Sequence, residues 1–337
     1  MRRRIAAATL AALAIPLALS GCSSLSAGGG DAGATGDFPG GEPITIVMPF
    51  SAGGSTDLMI RALVPFLEDE LDTSIIVENT VGAGGQVALT AIAGAQPDGF
   101  TIGVTNLPST LAYVNEERQA TYDQDSFEPL ATINRFRGII ATSSTGEWAT
   151  LEEMVAYAQD NPGAVTVGVD GLGGDDHIFV TAFEQAADVE FTVVPFDDGS
   201  EKMTALIGNQ IDLSFGSVPT FRPQIDSGNV VALAALDAET VAGLEDVPTT
   251  SSFGYDVQWE SYNVLSVPAG TDEAVRSELE DAIGAAAAAA EADSAFMEQM
   301  TNGGYEFGFQ DSEWTNDRWT DLDAQWRELV PVALQGD

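Results

Sequence analysis

The chain has 337 residues, of which 52 are acidic and 12 basic, giving a formal net charge of −40; there is one cysteine and one histidine. Such a charge makes nucleic acid and anionic membrane surfaces poor partners for the folded body. A hydrophobic content of 45% excludes a disordered chain, and a lone cysteine excludes an internal disulfide.

In chain order, Arg2, Arg3 and Arg4 form a positive n-region, followed by an apolar run from Ile5 to Leu19. That run has signal-peptide length and is short for a membrane span. It ends in Leu19-Ser20-Gly21-Cys22, which resembles a bacterial lipobox. Residues 1–21 are therefore expected to be a lipoprotein signal peptide, with Cys22 lipidated and the mature protein anchored outside the cytoplasm. Residues 22–42, rich in Gly, Ser and Ala, read as a flexible tether.

After the tether about 300 residues remain, enough for two domains. Ile44, Ile46 and Val47 start a strand that breaks at Pro49, and a small-residue loop leads into a helix from Thr56 to Leu71. Thr56 is placed to cap that helix, Asp57 sits in its first turn, and Pro65 predicts a kink. Residues 74–78 and 100–104 read as strands flanking a helix over 86–95. A second series opens with a capping box at Thr150-Leu151-Glu152-Glu153 and a helix to Asp160. Strands follow at 164–169, 191–195, 211–215 and 230–236, with helices at 176–187, 200–208 and 219–227 between them. The C-terminal third is helical, over 271–292 and 311–330, the latter carrying Trp319, Leu322, Trp326 and Leu329 on one stripe. Alternation of this kind predicts an α/β fold with mainly parallel sheets.

Three small-residue loops sit at the carboxyl ends of strands, where ligands gather in open α/β sheets. They are Phe50-Ser51-Ala52-Gly53-Gly54, Val81-Gly82-Ala83-Gly84-Gly85-Gln86 and Asp170-Gly171-Leu172-Gly173-Gly174-Asp175-Asp176-His177. No lysine lies in the first loop, so it is no nucleotide P-loop. With Lys202 the only lysine, an anionic ligand must be met largely by backbone N–H groups and helix N-termini. Lys202 itself reads as a solvated residue at a helix start. There is no G-x-S-x-G nucleophile elbow and no H-E-x-x-H. His177 beside Asp170, Asp175 and Asp176 leaves a metal site open as an alternative, though the spacing is not that of an EF-hand. No cofactor, metal or catalytic residue is expected.

The stretch from Pro43 to Asp57, PITIVMPFSAGGSTD, resembles the opening of the Bug-type (TctC-type) solute receptors of tripartite tricarboxylate transporters. Glu78-Asn79 with Gly82-Ala83-Gly84-Gly85, Pro97-Asp98-Gly99-Phe100, Val194-Pro195-Phe196 and Pro268-Ala269-Gly270-Thr271 resemble further family motifs in order. The resemblance implies a two-domain, periplasmic-binding-protein-like (Venus flytrap) fold, each domain a mainly parallel sheet flanked by helices. Domain one would comprise residues 43–142 plus 263–337 and domain two residues 143–262, with crossings near 142–148 and 258–266. It implies a receptor that presents a small carboxylate or amino-acid-like solute to one large and one small membrane subunit.

Carried onto this sequence, the ligand-binding residues would be Phe50, Ser51, Ala52, Gly53, Gly54, Thr56, Asp57, Asn79, Gln86, Thr105, Asn106, Asp170, Gly171, Gly173, Gly174, His177, Phe196 and Asp212. The amides of 51–54 would take one carboxylate, residues 171–174 would meet the other end, and Phe50 and Phe196 would enclose the ligand. Asp57 would hold its loop without touching the ligand. The chain departs from the family at Asp170 and at Asp197-Asp198. If these acids face the cleft, they disfavour a polyanion and favour an amino acid, a monocarboxylate with a donor, or a cation-bridged carboxylate. A ligand sensor for a signalling partner and a small-molecule hydrolase or metal-dependent enzyme are the rival readings.

Overall fold

The computed structural model describes residues 38–196 and 199–334. The expected signal peptide, Cys22, most of the tether, and Asp197-Asp198 lie outside the described residues. The body begins before residue 43: the Phe38 ring packs 5.1 Å from that of Phe100.

The first half runs β1 (Ile44–Met48), α1 (Ser55–Leu71), β2 (Ile75–Asn79), α2 (Gln86–Ala93) and β3 (Thr101–Val104). β4 (Phe127–Ser143) leads into the second half, with α3 (Leu151–Asp160), β5 (Val165–Val169), α4 (Asp175–Ala187), β6 (Phe191–Pro195), α5 (Gly199–Ile207), β7 (Leu213–Ser217), α6 (Val218–Asp226) and β8 (Val230–Leu236). β9 (Glu260–Pro268) returns, followed by α7 (Glu273–Ala292), α8 (Ser294–Gly303), β10 (Glu306–Gln310) and α9 (Ser312–Ala333). The helices and strands anticipated from the sequence are all present. β4, β9, α8 and β10 were not anticipated.

β2, β1 and β3 pair in parallel, and β9 closes that group antiparallel to β3. In the second half β6, β5 and β7 are likewise parallel. β4 joins the two. Its residues from Phe127 to Arg137 pair with β9, and from Gly138 onward it pairs with β7 and β8. The pairing therefore changes between Arg137 and Gly138. A Cβ on Gly138 would lie 2.7 Å from the Trp259 side chain, so only glycine lets the indole cross the strand there.

The first half buries an apolar layer of its own, and a second layer runs through both halves, joining Leu89, Ile92 and Leu111 to Leu151, Val167 and Phe183. Ile44, Ile46 and Met48 of β1 meet Met59, Ile60 and Leu63 of α1 and Leu279 and Ile283 of α7, all fully buried. Pro65 lies inside α1, which runs as one helix. The stripe on α9 reaches both halves: Trp319 stacks on Phe127 at 5.9 Å, and Trp326 meets Phe179 of α4 edge-on at 5.4 Å. Among the described residues no helix is long and apolar enough to cross a membrane.

Candidate functional site

The first loop is built by a turn at Gly53, whose φ of +81° suits glycine. The turn closes with Gly54 N–H donating to Ser51 O at 3.1 Å. Gly54 then caps α1 in an extended conformation, with no side chain capping the helix. Thr56, expected as the cap, lies inside the first turn. Asp57 is 1% exposed. Its carboxylate accepts from Gly53 N at 2.8 Å, Arg61 Nε at 2.9 Å and Asn79 Nδ2 at 2.9 Å. Asn79 also donates to Phe50 O.

Two of the amides expected to receive the ligand, Gly53 and Gly54, are thus spent inside the loop. The amides of Ser55 and Thr56, in the first helical turn, have no partner among the described residues, because no helical carbonyl precedes them. The helix dipole adds partial positive charge at the same place.

Burial alone would raise the Asp57 carboxyl, but the bonds from Arg61, Gly53 and Asn79 outweigh it and hold it below its ordinary value. Its stabilisation is therefore present above the unfolded value near pH 4 and lost as pH falls through the lower folded value. Asp57→Ala should cost about 1–3 kcal/mol at pH 7 by removing the charged acceptor that Gly53, Arg61 and Asn79 share. In urea unfolding the deficit should narrow as pH falls below the unfolded value near pH 4; a deficit equal to that at pH 7 throughout the acid range would contradict this role.

The facing wall comes from the ends of β5 and β6 and the starts of α4 and α5. Asp176, at the start of α4, accepts from Asp170 N at 2.7 Å, His177 N at 3.0 Å and Lys202 Nζ at 2.7 Å. Lys202 Nζ also pairs with Asp170 at 2.8 Å. Lys202 is 5% exposed, which corrects the expectation of a solvated residue: its stem crosses the packed base of α5 to reach the acids. Burial would depress the Lys202 ammonium, but Asp176 and Asp170 overcome this and its pKa is raised. Burial, with Asp170 and Asp175 nearby, pushes the Asp176 carboxyl up to about 7 against the pull of Lys202. Burial and the Asp170 charge also raise Asp175, against the pull of Ser109 and Lys202. Ser109 Oγ of the first half lies 3.0 Å from Asp175 Oδ2, a polar contact across the two halves.

Between the walls lies a cavity of about 1000 Å³. Of the expected residues, Phe50, Ser51, Gly53, Gly54, Thr56, Asn106, Asp170 and Gly174 line it. The others do not, each for a local reason. Ala52 is exposed at the loop tip. Asp57 and Asn79 brace the loop from behind. Gln86 donates to Arg118 O, and Thr105 is fully buried against Ser266. Gly171 closes a turn with Gly174, and Gly173 N donates to His177 Nδ1 at 2.9 Å, so both residues and His177 shape the loop. Phe196 is half-buried and packs against the apolar cluster beside α5. Asp212 precedes β7, at the end of the strand away from the cavity, and accepts from Thr166 N and Oγ1.

Asp175 and Asp176, read from the sequence only as part of the third loop and of an alternative metal site, line the cavity, and the sequence reading missed Lys202, Ser109, Arg118, Phe136, Trp259 and Tyr305, which line it too. Lys202 carried one usable signal, as the sole lysine, placed just after an acid-rich loop. Behind the cavity, Asn106 Nδ2 donates to Asn263 Oδ1 at 2.8 Å, and Asn263 Nδ2 to Asn134 Oδ1 at 2.9 Å. This buried amide chain ties the loop after β3 to β9 and β4.

A family model described as "Tripartite tricarboxylate transporter family receptor" matches residues 59–332. The chain is 26% identical to the protein BugT of Bordetella pertussis over 235 residues, 68% of this chain and 72% of that protein. It resembles the structure of the periplasmic binding protein BugD, with TM-score 0.76 and 27% identity over 86% of this chain and 97% of that one. MatC from Rhodopseudomonas palustris, solved with bound malate, matches with TM-score 0.77 and 25% identity over 86% of this chain and 98% of that one.

Proposed function

The chain belongs to the receptors of the tripartite tricarboxylate transporter family, and from that premise we propose that it binds a small carboxylate-bearing solute in the cavity between its halves and delivers it to one large and one small membrane subunit. The observation that carries this reading is the uncapped first turn of α1 opening into the cavity. Amides fixed by a folded loop meet a carboxylate at no cost in reorganisation, which suits a chain with few cationic side chains. The malate in MatC supports the solute class.

The two halves act as domains. The change of strand pairing at Arg137–Gly138 and the return through Trp259 and β9 supply the hinge, and solute binding closes it. Cys22 carries the lipid that holds the protein at the outer face of the cell membrane. Cys22→Ser should move the protein from the membrane fraction to the soluble fraction without changing solute affinity. Continued membrane attachment would contradict the anchor.

A thermal-shift panel of malate, succinate, adipate and the amino acids of matching length tests the solute class. A ligand at about 100 times its dissociation constant should stabilise the protein by about 2.7 kcal/mol. No shift with any carboxylate-bearing compound would overturn the reading.

A further inference from the structure

The charges lining the cavity are segregated by wall. On the wall of the first half the lining charge is Arg118, held at the 83–86 loop, and the same wall carries Ser55 and Thr56 at the start of α1. No carboxylate of that half lines the cavity among the described residues. On the opposite wall stand Asp170, Asp175 and Asp176 with Lys202. Asp226 also lines that wall, but it is paired with Arg222 at 2.8 Å. Three carboxyl groups face one ammonium there, so the facing wall has no cation to spare and carries excess negative charge to the extent that Asp175 and Asp176 ionise beside Asp170. The Asp170 side chain is 47% exposed, so its carboxylate is open to the cavity while one oxygen holds Lys202.

Resting on the carboxylate-receptor reading, we infer that the solute is a zwitterion, its carboxylate on the first turn of α1 and its ammonium against Asp170 and Asp175. A dicarboxylate spanning the same walls would set its second carboxylate against this excess negative charge. Lys202 does not reverse that, because it already serves Asp170 and Asp176. An ammonium in the same place supplies the missing positive charge and donates hydrogen bonds to acceptors that are already fixed.

The test compares pairs of equal chain length by calorimetric titration at pH 7: succinate with 4-aminobutanoate, glutarate with 5-aminopentanoate, and adipate with 6-aminohexanoate. The α-amino acids norvaline and norleucine cover the case in which both charges sit at one end. The expected result is that the tightest zwitterion binds at least tenfold more tightly than any dicarboxylate. Asp170→Asn should weaken that zwitterion at least tenfold without weakening butanoate, which has no ammonium for Asp170 to meet. These comparisons on the unmodified protein stand even if the variant proves unstable. Tighter binding of the dicarboxylates would overturn the zwitterion and leave the receptor reading intact. Absence of binding by every carboxylate-bearing probe would overturn both.

Discussion

Lys202→Met should lower the stability of the protein by about 3–5 kcal/mol at pH 7, the range for removing one partner of a buried ion pair. Methionine keeps most of the stem, so the loss comes from charge and not from volume. Asp176, whose side chain is 2% exposed, keeps its bonds from Asp170 N and His177 N but loses its cation. Its raised pKa then rises further, because Lys202 was pulling it down. For an acid whose folded pKa lies above the unfolded one, the folded state binds the extra proton, so stability increases as pH falls between the two values. The unmodified protein gains in the same way below about pH 7, so in urea unfolding the deficit should narrow as pH falls towards 7 from above and change little between pH 7 and pH 5. Asp176→Asn should restore part of it when added to Lys202→Met. A deficit below about 1 kcal/mol would place Lys202 among exposed ion pairs and contradict its burial.

Arg137→Met should have an effect of similar size for the same reason at a different place. Arg137 and Asp237 have side chains 9% and 5% exposed and form a direct ion pair where β4 changes partners. Arg137 also reaches Glu306 of β10, and Asp237 accepts from Glu239 N. Arg135 extends the same network by pairing with Glu260 and Glu306, so the joint between the halves is laced by charges from β4, β9, β10 and the end of β8. Removing Arg137 strands a buried carboxylate and should cost about 3–5 kcal/mol. The double variant Arg137→Met, Asp237→Asn should be more stable than Arg137→Met alone. Equal stability of the two would show that Asp237 finds water or another cation, and that the pair does not hold the joint.

The sequence made the parallel strands legible because β-branched runs such as Ile44 to Val47 end at glycine-rich loops, and each loop opens a helix. β4 was not legible. It is buried on both faces, so it lacks alternation, and Pro129, Asn134, Arg135 and Arg137 interrupt its apolar run. The glycine loops also showed where the cavity lies, since it is lined by both the 50–54 loop and Asp170 and Gly174. What they could not show is which amides were already used. That depends on the Asp57 carboxylate folding back to Gly53, a contact set by the turn and not by composition. Phe136, Trp259 and Tyr305 look like core residues because most of each ring is core, with one edge on the cavity. Phe196, placed in the cleft by motif, is half-buried against the apolar cluster beside α5 and is not among the cavity-lining residues.

The central claim is that backbone amides of the first turn of α1 hold the carboxylate. Proline is tolerated at the first position of a helix and removes one N–H there. Gly54, the preceding residue, is already extended at φ −70° and ψ 167°, as a residue before proline must be. Ser55→Pro therefore deletes a single amide proton with little disturbance to the helix, and Ser55→Ala controls for the hydroxyl. Calorimetric titration of both variants with the tightest carboxylate from the thermal-shift panel decides the matter. The account predicts that Ser55→Ala binds within about twofold of the unmodified protein and Ser55→Pro at least tenfold more weakly, about 1.4 kcal/mol, with unfolding midpoints unchanged. Equal affinities for the two variants would contradict it.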